Sequence, residues 1–486
     1  IQVGSAMLVK KTRGLMPAPE KIMDIAVNGM RIGMEPALRM ESRGLTHLLM
    51  TTEAKAAITT FFFGMQAIKG GKVRPEGERW KATKSAILGA GMMGSGIAWA
   101  HASRGLPSVL KDMSLENAEK GKAYSAGLAD KAMKRGRMDE AKKEGLLGLI
   151  TPSTDDNDYA GADLIVEAVF EDVGVKAEVT KNVQAQTDCI FATNTSTLPI
   201  TELAKAATDP AKFIGIHFFS PVDKMMLVEI IKGRETGPEA VAKALDYVRQ
   251  IKKTPIVVND ERFFYANRCI IPYINEGIRM VREGVAPALI ENAAKLVGMP
   301  LGPLQLTDET SIDLGVKIAK ATKAAMGADY PNDEVDEVLF WMFDEGRLGR
   351  KSNSGFYAYD EKGKRTGLWE GLTAKYPTAD EQPDLIDVQH RLLFAQVLEA
   401  VRALEENVLE DIREGDVGAI LGWGFAPWSG GPFSWLDMLG APYAADRCDQ
   451  LTEQFGERFK TPALLREMAD KNQGFYKRFG TDAKAA

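Results

Sequence analysis

At 486 residues the chain is too long for one ordinary core, and about 150 residues per domain gives roughly three domains. Apolar residues make up 45% and charged residues 26%, the balance of a globular protein rather than a disordered or fibrous one. The formal net charge of -6 leaves no electrostatic footprint for nucleic acid, although a local basic pocket for an anionic ligand is compatible with it. Cys189, Cys269 and Cys448 lie far apart and form no CxxC pair. Neither a disulfide framework nor a metal site is therefore expected, and a cytoplasmic setting is. No apolar run approaches the ~18 residues a membrane helix needs, and no signal peptide is visible. The first residue is Ile1 rather than Met, which is compatible with further sequence upstream. Only His47, His101, His217 and His390 are available as histidine bases.

Taken in chain order, residues 17–69 read as helices. Apolar side chains recur at helical spacing in Ile22, Met23, Ile25, Ala26 and Met30, and again across 54–68. Pro17 and Pro19 stand where a first helical turn tolerates proline. Residues 69–79 are glycine-rich and charged, as a linker is. Residues 1–80 thus form a helical segment with its linker.

The pattern then changes. Short apolar runs at 85–88, 108–112, 163–169, 189–193 and 213–219 alternate mostly with helical stretches, and 227–231 and 255–258 add late strands. That order predicts a parallel sheet with helices on both faces, over 81–261. From 262 onward the chain is mostly helical, and it repeats. Asn267-Arg268 precedes Glu276 as His390-Arg391 precedes Glu399, and Gly302-Pro303 leads to Asp308 as Gly431-Pro432 leads to Asp437. Two related helical domains are expected, 262–360 and 380–486, joined by a charged linker at 361–379.

The first apolar strand runs into Gly89-Ala90-Gly91-Met92-Met93-Gly94. A dinucleotide loop needs one glycine for the tight turn, one where backbone meets pyrophosphate, and one where helix packs on sheet. Gly89, Gly91 and Gly94 occupy those places, and a helix follows whose positive end faces the phosphates. Asp112 ends the next strand, where a carboxylate accepts the adenosine ribose hydroxyls and repels a 2′-phosphate. Loop, helix and acid in register point to NAD in a Rossmann domain, with Lys111 slightly blurring the preference over NADP. Met92 and Met93 lie within the cofactor loop, with packing as their plainer role.

His217 ends another strand, where ligands of open α/β sheets bind. Glu229 lies within the next apolar strand, and a carboxylate there wants a partner. A hairpin-like return brings Glu229 to His217, either as a base with its orienting acid or as a buried structural pair. Asn194-Thr195-Ser196-Thr197 closes a strand on the same edge; spacing alone favours capping of the next helix over ligand binding. Asn267 reads as a cap for the same reason.

The run Ile87-Leu88-Gly89-Ala90-Gly91-Met92-Met93-Gly94-Ser95-Gly96-Ile97-Ala98 resembles the opening of the 3-hydroxyacyl-CoA dehydrogenases. Residues 165–171, 194–197, His217-Phe218-Phe219-Ser220-Pro221 through Glu229, and Asn267-Arg268 resemble that family's other signatures, in order. Where many relatives have Asn, this chain has Ser220, and the usual Gly-Phe-Phe is Arg262-Phe263-Phe264. The duplicated helical domain is similar to that of multifunctional fatty-acid oxidation proteins such as the bacterial alpha subunit, with residues 1–70 resembling the end of an upstream hydratase/isomerase module. The hydratase core itself is absent, so no hydratase activity is expected.

The resemblance implies an NAD-dependent L-3-hydroxyacyl-CoA dehydrogenase of fatty-acid β-oxidation. It implies His217 as the base, Glu229 as its orienting acid, and Ser196 and Asn267 as hydrogen-bonding partners of the reacting oxygen or thioester region. It implies Asp112 on the ribose and Glu171 and Lys176 near the cofactor. The implied partners are an acyl-CoA substrate and a thiolase subunit, and self-association is compatible with the sequence. Lys120 and Lys122 are candidates for the CoA phosphates, with solvated helix lysines as the plainer reading. Two other functions fit the residues: a dehydrogenase of a hydroxy acid without CoA, and a non-catalytic platform for a thiolase partner.

Overall fold

The computed structural model of the protein describes residues 2–71 and 73–480. They fold into two compact units, one containing residues 2–61, 269–402 and 424–480, the other 62–268 and 403–423. No described helix is long and apolar enough to cross a membrane.

The second unit is built on an eight-stranded sheet: β1 (Ser85–Leu88), β2 (Ser108–Lys111), β3 (Ile150–Ser153), β4 (Leu164–Glu167), β5 (Ile190–Thr193), β6 (Phe213–Phe218), β7 (Leu227–Lys232) and β8 (Thr254–Asn259). The strand order is β3-β2-β1-β4-β5-β6-β7-β8. The chain progresses to one side of β1 and then crosses to the other, which opens a crevice beyond the strand ends between β1 and β4. β1, β4, β5 and β6 are buried throughout, which is why they read as unbroken apolar runs.

The sheet is mixed rather than wholly parallel, because β7 runs antiparallel to β6 while β8 is parallel to β7. One strand escaped the sequence reading. β3, Ile150-Thr151-Pro152-Ser153, pairs only with β2, and an edge strand tolerates a proline that masks its pattern.

The charged stretch expected as a linker is tied down in this unit. Arg74 donates through Nε and Nη2 to Asp246 at 3.0 and 2.8 Å, and Arg79 and the Trp80 amide join the same carboxylate. Burial would raise Asp246, but these donors outweigh it and hold its carboxyl below the usual range.

The first unit is helical. Its N-terminal helices are Gln2–Thr12, Pro17–Gly29 and Met34–Leu49. The two aspartates singled out in the sequence make similar contacts. Asp308 accepts the amides of Phe356 and Tyr357 at 2.7 and 2.9 Å, and Asp437 accepts those of Phe475 and Tyr476 at 2.5 and 2.9 Å. Each aromatic pair follows a glycine, Gly355 or Gly474, and a Cβ on Gly355 would lie 2.0 Å from the Asp308 carboxylate. Each of the two Gly-Phe-Tyr segments is therefore tied to a helix through one aspartate, buried at Asp308 and half-buried at Asp437.

A second pair of contacts is reciprocal. Arg268 binds Glu406 through two hydrogen bonds of 2.6 and 2.9 Å, and Arg391 binds Glu283 through two of the same lengths. Each repeat's arginine thus reaches the other repeat's glutamate. Arg391 also donates to buried Glu276 at 2.6 Å. Residues 361–379 are not featureless: the strand Arg365–Leu368 pairs with Tyr357–Tyr359, and the helix Glu370–Lys375 follows.

Candidate active site

The glycine loop leaves β1 and turns into the helix Met92–Ala102, with Gly91 as the residue before its first turn. Gly89 has φ +98°, and a Cβ there would lie 2.6 Å from the Ala168 carbonyl at the end of β4. A Cβ on Gly94 would lie 1.8 Å from the Gly89 carbonyl, so helix and loop touch at bare backbone. Gly91 faces open space within 4 Å. Two glycines are thus demanded by the protein's own packing, while the third leaves the helix N-terminus approachable, as a pyrophosphate requires.

Asp112 braces this loop. One carboxylate oxygen accepts the Ala90 amide at 2.8 Å, and the other accepts Met113 N at 2.8 Å and Asn117 Nδ2 at 3.0 Å. A carboxylate has further acceptor capacity for ribose hydroxyls. Lys111 pairs with Asp156. Met92 is 72% exposed at the loop and meets the Ser220 hydroxyl, whereas Met93 packs on the sheet core. These residues fit NAD.

Beyond β4 and β5 lies a polar chain. Glu171 accepts the Thr195 hydroxyl at 2.7 Å and the Ser196 and Thr197 amides at 2.8 and 3.1 Å. Burial opposes its charge, but Lys176 and these donors outweigh burial and hold the Glu171 carboxyl low. Lys176 is almost fully buried and donates to Glu167 at 2.8 Å; Glu167 also accepts the Thr193 hydroxyl. Lys176 therefore sits behind Glu171 as a buried counter-charge. Asn267 donates its amide to the Ser196 carbonyl at 2.9 Å. It does not act as a helix cap through that group. Asn194, which spacing alone assigned to capping, accepts the Phe218 amide at 2.8 Å and ties β5 to β6.

His217 and Glu229 are direct partners across the antiparallel β6–β7 pair. His217 Nδ1 lies 2.8 Å from Glu229 Oε2, with the histidine 4% exposed and the glutamate fully buried. A carboxylate only accepts, so Nδ1 carries the proton and Nε2 is left with its lone pair. The other Glu229 oxygen accepts the amides of Tyr265 and Ala266 at 3.2 and 2.8 Å. These open the helix Ala266–Arg282, whose positive end steadies the charge. Phe219 and Phe264 flank the imidazole at ring-centroid distances of 4.5 and 6.0 Å. Phe263 and Phe264 have φ of +68° and +52°, in the left-handed region, just before the helix opens.

Of the other histidines, His47 is exposed, and His101 and His390 are engaged elsewhere. His101 bonds Ser85 and Tyr247, and burial pushes it down to about 3. His390 accepts from Arg447, and burial and that charge push it down to about 4. Lys120 pairs with Glu116 on an exposed helix face. Among the described residues, no group of three or more His, Cys, Asp or Glu is placed to hold a metal ion.

The model of the 3-hydroxyacyl-CoA dehydrogenase NAD-binding domain matches residues 84–261, and that of the family's C-terminal domain matches 264–359. The fatty acid oxidation complex subunit alpha of Shewanella amazonensis is 37% identical over 477 residues, covering 96% of this chain and 67% of the relative. That of Shewanella baltica is 36% identical over 474 residues, covering 96% and 66%. The chain thus spans about two thirds of these relatives' length. The crystal structure of (S)-3-hydroxybutyryl-CoA dehydrogenase from Ralstonia eutropha is similar at 33% identity and TM-score 0.54, covering 58% of this chain and all of that one. The 3-hydroxybutyryl-CoA dehydrogenase from Escherichia coli K12 shares the fold at TM-score 0.70 and 24% identity, over 81% of this chain and 99% of its own.

Proposed function

Because the chain belongs to the 3-hydroxyacyl-CoA dehydrogenase family, we propose that it converts (S)-3-hydroxyacyl-CoA to 3-ketoacyl-CoA with His217 as the proton acceptor. The observation that carries this reading is the His217–Glu229 pair. NAD, when bound, supplies the hydride acceptor. The glycine loop and Asp112 hold it, and Glu171 with its threonine and serine donors shapes the neighbouring edge.

Nε2 of His217 takes the hydroxyl proton. Glu229 fixes the tautomer and stabilises the imidazolium that forms. A positioned base of this kind contributes about 10²- to 10⁴-fold in rate. Asn267 and Ser196, joined by a hydrogen bond, orient the reacting oxygen or the thioester. The two phenylalanines beside the imidazole limit water there.

The test is oxidation of NADH by acetoacetyl-CoA. His217→Ala lowers turnover by about 10²-fold or more. Wild-type turnover in that variant would remove His217 from the mechanism. Free acetoacetate reacting as fast as acetoacetyl-CoA would overturn the CoA assignment and favour a simple hydroxy acid. The relatives' name speaks of a complex, and a thiolase partner and a cytoplasmic setting for this chain belong to the same proposal. Co-purification with a thiolase tests the partner.

A further inference from the structure

The sheet of the dehydrogenase unit ends at β8, whose outward amides would lack partners. They do not. The Val257 amide donates to Glu414 Oε2 at 2.7 Å, and the Asn259 amide donates to the Val408 carbonyl at 2.9 Å. Glu414 and Val408 come from the second helical repeat, beyond residue 359, where the matched family domains end. The same unit contains residues 403–423.

The helix Ile412–Gly422 lies close against the sheet. A Cβ on Gly418 would stand 2.8 Å from Ile256, and one on Gly422 would stand 2.6 Å from Leu227. Ile256 is the β8 neighbour of Glu229. On another side of Glu229, the Tyr265 hydroxyl donates to the Gly415 carbonyl at 3.2 Å, while the Tyr265 amide donates to Glu229. One turn of this helix therefore grips β8, which pairs with the backbone at Glu229, and Tyr265, whose amide donates to the Glu229 carboxylate.

Glu414 is itself unusual. It is 3% exposed and faces a sheet edge, where a carboxyl side chain is rarely buried unless paired. Burial pushes it up to about 8 against the bond from Val257, with Asp411 and Glu410 adding to the effect. It satisfies a buried amide at the sheet edge.

We propose that the second helical repeat is part of the dehydrogenase machinery: Glu414 and Gly415, acting through Val257 and Tyr265, are positioning groups for Glu229. This rests on the reading of His217 and Glu229 as the reacting pair.

The experiment is a mutant cycle on the full chain, followed by NADH oxidation with acetoacetyl-CoA. Tyr265→Phe removes the bond to Gly415 and keeps the amide on Glu229. It lowers kcat about 3- to 10-fold, the worth of one hydrogen bond, with NADH affinity unchanged. In a Glu229→Gln background the same change has no further effect on kcat, because the positioned carboxylate is gone. Glu414→Ala lowers kcat similarly and speeds hydrogen exchange at residues 254–266, and Glu414→Gln recovers most of both. Equal loss from Tyr265→Phe with and without Glu229, or wild-type kcat in Tyr265→Phe and Glu414→Ala, overturns the proposal. If His217→Ala keeps full turnover, the reacting-pair reading fails first; if it is inactive while Tyr265→Phe is unaffected, only the positioning role fails.

Discussion

The two helical repeats share a skeleton and differ in what they hold at one corresponding place. Asp308 and Asp437 each accept two successive amides from a Gly-Phe-Tyr segment, and Arg268 and Arg391 each grip the opposite repeat's glutamate. Yet the residue before the first arginine is Asn267, aimed at Ser196, while that before the second is His390, packed among Phe394 and Trp435 and held by Arg447. The two repeats share these ties and differ in the residue before the arginine, which reaches the Rossmann unit's Ser196 in the first and packs among aromatic rings in the second. The second copy supports the sheet edge instead.

The largest expected effect separates the two arginine pairs. Arg391 is almost fully buried and binds both Glu276 and Glu283. Burial would raise Glu276, but Arg391, Arg458 and Arg279 together hold it low. Arg391→Met frees Glu283 and leaves Glu276 to Arg279 and Arg458, and costs about 3 kcal/mol, read by denaturant unfolding. Next comes the functional difference. Asn267→Ala lowers kcat/KM for acetoacetyl-CoA by about 10²-fold, the scale of losing one oriented donor. His390→Ala leaves kcat/KM unchanged and lowers only the melting temperature. Equal losses from the two would mean that both repeats serve the site.

A smaller effect appears with pH. Burial pushes Asp308 up to about 6 against the bonds it accepts from Tyr357, Phe356 and Tyr359. A carboxyl raised above its unfolded value contributes stability at low pH that is lost as pH climbs from about 4 through 6. The melting-temperature difference between wild type and Asp308→Asn therefore shrinks across that window. Asp437 is raised by burial in the same direction, and Asp437→Asn shows the same sign. The smallest effect closes the series: Glu406 is half-exposed, and Arg268→Gln costs about 1 kcal/mol or less.

Much of the site was legible before any coordinates. Gly89, Gly91 and Gly94 sit in a strand–turn–helix context that few other functions need, and an acid inside the apolar run 227–231 had to find a partner. His217 and Glu229 meet because β7 runs back antiparallel to β6, the hairpin-like return expected from the sequence. Asn194 and Asn267 read as caps because an asparagine's local bonds and its long-range bonds look alike in sequence. Their actual partners are a strand amide and the Ser196 carbonyl. The Gly-Phe-Tyr ties went unseen because each aspartate and its amides are far apart along the chain. Glu414 gave no signal at all, since a glutamate in a helix resembles any solvated one until the sheet edge is set beside it.

That edge has a further consequence for how the protein can be cut. Residues 407–410 run beside β8, bridging Val258 to Leu409 and binding Asn259 through both backbone and side chain. A fragment ending near residue 360 would keep the glycine loop, His217, Glu229 and Asn267, and would look like a complete dehydrogenase on paper. It would also carry a naked strand border, a template on which another chain can add itself. Self-pairing and precipitation, rather than a missing reactive group, would be the first fault of such a fragment.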